Sequence, residues 1–110
     1  MTRPNNKKQA LRILNLRGER FHDVPEFNRA VGCRLVELRT QFWPHERNLT
    51  KVMPLINETF PDVPYSTWAS WENGTRSLSP EMARDIGYAF NAHPAWILFG
   101  GEKRPYPGKK

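Results

Sequence analysis

The sequence predicts an all-α protein. Three observations carry that reading. Apolar residues recur at separations of three and four in successive short runs, each run is bounded by proline, glycine or a capping side chain, and no stretch alternates apolar with polar residues as a strand would. The runs give five helices in a central body, residues 23–101. A basic N-terminal extension, residues 1–22, holds an extra helical segment, and a basic tail follows over residues 102–110.

The extra segment covers residues 7–17, where Ala10, Leu11 and Leu14 share one side of a helix and Gly18 offers a stop. A helix this short is not stable alone, so it must dock on its own body or on a second copy. The first helix of the body opens at Asp23-Val24-Pro25-Glu26, which supplies a capping acid, a proline near the first turn and a capping-box glutamate. Phe27, Val31, Leu35, Leu38 and Phe42 follow as an apolar stripe, and Pro44 ends the helix. A polar link leads to the second helix, capped by Asn48 or Thr50, with Leu49, Val52, Ile56 and Phe60 at helical spacing. Pro54 is expected in or near its first turn, where a missing backbone N–H costs least.

Pro61-Asp62-Val63-Pro64 makes a stiff turn into a third helix, about Tyr65 to Asn73, with Trp68 and Trp71 as the inward pair and Gly74 as its stop. Ser79-Pro80-Glu81 opens the fourth helix with an N-cap, a proline and an early acid, and Met82, Ile86 and Phe90 follow four apart. His93-Pro94 starts a short fifth helix through Phe99, closed by Gly100-Gly101. The proline-containing tail after it is expected to be disordered.

Composition narrows the function. The net charge is +6, and it is unevenly placed. Residues 1–20 carry six basic side chains and one acid, residues 103–110 carry four basic and none acidic, and residues 21–102 carry seven basic against ten acidic. Basic ends suit a polyanion, because lysine and arginine release counterions from a phosphate backbone. No apolar run is long enough to span a membrane, and the start lacks the apolar core of a secretory signal, so a cytoplasmic setting is expected. One cysteine, Cys33, forms no internal disulfide; it is expected as a buried or half-buried structural thiol inside a helix. His22, His45 and His93 lack helical partners, so no metal site is expected, and no cofactor loop or clustered carboxylates point to catalysis. The spacing of Trp68, Trp71, Trp96 and the phenylalanines is that of core residues. Trp43 falls in the link after the first helix, where exposure would suit a partner contact.

The informative face is that of the third helix. Around its two tryptophans it presents Tyr65, Ser66, Thr67, Ala69 and Ser70, with no charge from Tyr65 to Trp71. A helix roughly 10–12 Å across fits the DNA major groove, and hydroxyls on small side chains can approach and hydrogen-bond base edges there.

Trp71-Glu72-Asn73-Gly74, preceded by Ser66-Thr67-Trp68-Ala69-Ser70, resembles the recognition helix of the lambda-repressor-like helix-turn-helix regulators. The resemblance extends to Arg34-Leu35-Val36-Glu37-Leu38-Arg39, to Ser79-Pro80-Glu81 through Ala89, and to Pro94 through Gly100, covering roughly residues 30–100. It implies a five-helix domain of that fold with an additional N-terminal segment. It implies an ion pair between Arg39 and Glu72, base contacts by Tyr65, Ser66 and Ser70, and phosphate contacts by Thr67, Asn73, Thr75 and Arg76. Thr50 and Lys51, at the start of the second helix, are likewise implied to face a phosphate. The chain departs from the family in its longer link between the first two helices. It also lacks a glutamine near the start of the second, and has Pro61-Asp62 in place of the turn glycine and Pro64 in place of a capping hydroxyl.

The expectation is a regulator of transcription that binds double-stranded DNA as a homodimer on a palindromic operator, paired through residues 7–17 or the fifth helix with Trp96. The alternative is a protein-binding module on the same fold, an antirepressor or antitoxin-like partner, which the acidic body and uncharged helix face favour. Neither reading needs a metal or a cofactor.

Overall fold

The computed structural model describes residues 25–108, which hold five helices and no strand. They are α1 (Pro25–Phe42), α2 (Leu49–Thr59), α3 (Tyr65–Glu72), α4 (Pro80–Phe90) and α5 (Pro94–Phe99). The segment 7–17, the predicted cap Asp23 and the last two lysines lie outside the described residues. No helix among the described residues is long and apolar enough to cross a membrane.

Local chemistry sets the boundaries. Asn48 caps α2, its Oδ1 accepting from Thr50 N at 2.9 Å. Ser79 caps α4, accepting from Met82 N at 3.1 Å with Pro80 as the first helical residue. His93 caps α5 through Nδ1, which accepts from Ala95 N. Asn91 closes α4 at φ 55°, a left-handed conformation that asparagine tolerates better than most side chains.

The core takes Val31, Leu35 and Leu38 from α1, Val52, Met53 and Ile56 from α2, and Trp68 and Trp71 from α3. Ala83 and Ile86 of α4 and Trp96 and Ile97 of α5 complete it, with Val63, Leu78 and Ala92 from the links. The long helix α1 is the hub. Its apolar stripe packs inward, while Gly32 and Arg39, further round the same helix, are buried against α3. A methyl group on Gly32 would strike the backbone carbonyls of Trp71 and Glu72, so the two helices touch through bare backbone there. Arg34 Nη1 donates to the Ile97 carbonyl at 2.9 Å and fastens α1 to α5.

Several expectations are corrected. Phe42 has the right spacing for the stripe but is 54% exposed; its ring stands edge-on to those of Trp43 and Phe90 at the surface. Trp43 is half-buried rather than exposed, its ring edge-on to both phenylalanines. Cys33 is exposed, one residue beyond the face that Gly32 turns to α3. Pro54 sits mid-helix; it and Thr50, whose carbonyl loses the N–H of residue 54, are both exposed, so water can satisfy that carbonyl. Trp96 is buried, with Lys103 Nζ 5.1 Å from its ring centre, so the exposed apolar side chain of α5 is Phe99 rather than the tryptophan.

The start of the tail lies back along the body rather than running free. His93 N donates to the Arg104 carbonyl at 2.8 Å, and Tyr106 N donates to Asn91 Oδ1 at 3.1 Å. The Tyr106 ring stands edge-on to Tyr88, and Lys103 pairs with Glu37 and hydrogen-bonds Gln41 on α1. Aromatic and main-chain contacts thus hold a stretch whose composition alone reads as loose.

Candidate functional site

α3 is eight residues long and turns its two tryptophans inward, their rings 5.7 Å apart and edge to face. The opposite side offers Tyr65, 47% exposed, and the exposed Ser66, while Thr67, Ala69 and Ser70 are half-buried. The outward face is therefore narrower than its sequence suggests, open at the helix start and shaded towards the end. Ser70 also spends its hydroxyl proton within the helix, donating to the Ser66 carbonyl at 2.6 Å. Its oxygen keeps only acceptor capacity.

Behind this face stands a buried polar cluster. Arg39 Nε donates to Glu72 Oε2 at 2.7 Å and Nη2 to Oε1 at 3.0 Å, with the two side chains only 7% and 9% exposed. The fork of the guanidinium matches the carboxylate in two parallel bonds, the strong geometry for such a pair. Trp68 Nε1 donates a third bond to Glu72 Oε2 at 2.8 Å, and Arg39 Nη1 reaches the Arg47 carbonyl at 3.1 Å. One cluster thus ties α1, α3 and the approach to α2 together.

The link between α2 and α3 has its own clasp. Asn57 Nδ2 donates to the carbonyls of Phe60, at 2.9 Å, and Val63, at 2.8 Å. The amide pins the turn from outside it: the Phe60 carbonyl also accepts from Val63 N at 3.2 Å, whereas the Val63 carbonyl receives its bond from Asn57. Pro64 caps α3 without a side-chain bond.

Beyond α3 the chain turns at Gly74, φ 80°, beside the backbone of Arg29. The Ser70 carbonyl accepts from Thr75 N and Arg76 N, and Asn73 Oδ1 accepts from both the N–H and the hydroxyl of Thr75. Asn73 and Thr75 are therefore brought together and spend part of their capacity on each other. What this loop still offers outward is the Asn73 amide N–H and the exposed Arg76 guanidinium.

Thr50 and Lys51 are exposed on the first turn of α2. Thr50 and Tyr65 share an open groove with Met53, Pro54 and Asn57, which joins the outer side of α2 to the start of α3. Sequence reasoning singled out neither Met53 nor Asn57 for this place. The signal for Asn57 was present: an amide side chain one turn before a proline-rich stop is placed to cap the carbonyls that such a stop leaves open.

The described residues carry nine basic and nine acidic side chains, so all of the net charge lies outside them. The site is a neutral, hydroxyl-bearing helix start on a rigid brace, flanked by Lys51 and Arg76. Such a surface can recognise a partner by shape and hydrogen bonds. No known family model matches the chain, and comparison with curated proteins and with solved structures yields no significant match.

Proposed function

We propose that the chain is a sequence-specific DNA-binding regulator of the lambda-repressor-like helix-turn-helix kind, acting by binding rather than by catalysis. The single observation that carries this reading is the outward start of α3, with Tyr65 and Ser66 exposed over Trp68 and Trp71 and the helix end gripped by Arg39 through Glu72. In this reading α2 and α3 form the helix-turn-helix, and α3 enters the major groove by its start. Tyr65, Ser66 and the acceptor oxygen of Ser70 meet base edges, while Thr50, Lys51, Thr67, Asn73, Thr75 and Arg76 meet the backbone. Two copies on an inverted repeat supply the specificity that one short helix lacks.

A second reading is supported by the charge balance. A body with equal numbers of acids and bases, and an α3 face without charge, also suits a protein partner. Selection of bound fragments from a random duplex pool separates the two. An enriched inverted repeat, bound more weakly by Tyr65→Ala and Ser66→Ala variants, is the expected result. A pool that returns no preferred sequence at low salt overturns the DNA reading and leaves the protein partner.

A further inference from the structure

An apolar groove lies on the molecule away from the groove between α2 and α3. Phe27 of α1, Leu78 and Pro80 at the start of α4, and Leu98 and Phe99 of α5 line it, with the hydroxyls of Ser77 and Ser79 on its rim. Phe99 is 66% exposed, and its ring centre lies 6.1 Å from that of Phe27. No charged side chain lines the groove. An occupant therefore gains from apolar surface, and a charged partner gains nothing.

We propose that the occupant is the chain's own N-terminal segment, residues 7–17, docked by the side that carries Ala10, Leu11 and Leu14. The described chain begins at Pro25, two residues before Phe27, so the segment is tethered at the mouth of the groove. Residues 18–24 make the tether, and seven residues extend to at most about 25 Å. That length allows the segment to fold back over Phe27 and Phe99, and it is short enough to keep the local concentration in the millimolar range. The segment needs such a support, since a helix of this length does not stand alone. Lys8 and Arg12 fall on the other side of the helical spacing from Ala10, Leu11 and Leu14, while Lys7 and Arg17, on or near the docking side, stand at the two ends of the segment, where long side chains can carry their charges past the groove into water. The inference is independent of the DNA reading.

The test uses the full chain with Cys33→Ser and Gln9→Cys, a nitroxide attached at position 9, and amide spectra of the isotopically labelled protein. The expected result is strong broadening of the Leu78, Ser79, Leu98 and Phe99 signals, relieved when the nitroxide is reduced. Phe99→Ser, a change at an exposed position, is expected to abolish that broadening with the rest of the spectrum preserved. Sharp signals in the oxidised sample overturn the proposal, as does broadening that survives Phe99→Ser. Mixing unlabelled nitroxide-bearing chains with labelled nitroxide-free chains identifies a second copy as occupant. Broadening in that mixture also overturns the proposal, and its absence there supports docking within one chain.

Discussion

Glu72 accepts three hydrogen bonds in a nearly dry setting, two from Arg39 and one from Trp68. Removing one member of a buried pair leaves the other charge uncompensated, which costs more than the pair contributes net. Arg39→Ala is expected to lower stability by about 3 kcal/mol, read from urea unfolding followed by tryptophan fluorescence. The double variant Arg39→Met/Glu72→Leu is expected to lose less than the sum of its single changes, because it removes both charges together. Strict additivity would show that the carboxylate and guanidinium do not depend on each other. The fork between these two residues follows from their places on α1 and α3, yet no rule of periodicity marks Arg39 as a buried residue. A charged side chain inside an amphipathic pattern reads as surface, and only the resemblance of the flanking motifs selected it.

At the level of helices, punctuation was legible and packing was less so. Pro80 behind Ser79, Pro94 behind His93 and Gly74 after α3 end or begin elements where the sequence places them, because caps and prolines act within one turn. Burial depends on neighbours, which local pattern does not record. Phe42 continues the stripe of α1 by spacing and lies outside the core, its ring set edge-on against Phe90 and Trp43 at the surface. Gly32 went unmarked for the opposite reason: it has no side chain to join a stripe, although a glycine inside a helix costs about 1 kcal/mol against alanine and invites a structural reason. Gly32→Ala is expected to force α3 away from α1 and destabilise by about 1–3 kcal/mol, measured by the same unfolding curve. Asn57 offers a sharper comparison. Asn57→Ala takes a donor from two carbonyls and leaves only Phe60's with a partner, Val63 N, at a cost of about 1–3 kcal/mol. Asn57→Asp is expected to cost more, because it turns an acceptor towards both carbonyls. Equal losses for the two variants would mean that the amide N–H does not hold the turn.

Over the whole molecule, charge is unevenly placed. The described body is electrically balanced, and the excess of positive charge sits in residues 1–24 and at the C-terminal end. Under the proposed function, affinity for duplex DNA is therefore expected to fall steeply with salt, chiefly through the extension. Each lost phosphate contact lowers the slope of log affinity against log salt by about 0.9. Replacing Lys7, Lys8, Arg12 and Arg17 by glutamine is expected to reduce that slope by about 3 to 4 if all four meet phosphate, and Arg76→Ala by about 1. An unchanged slope in the quadruple variant would place the electrostatic contact elsewhere. The molecule is also mechanically lopsided around α3. At one end Arg39 and Trp68 hold Glu72 and the Gly32 contact allows no slack, while at the other Pro64 brings no side chain to the first N–H groups. Amide hydrogen exchange should grade along those eight residues, slow at the heel and fast at the toe. Whatever surface meets Tyr65 thus meets the end of this helix that no capping side chain covers, while the far end stays moored through Glu72.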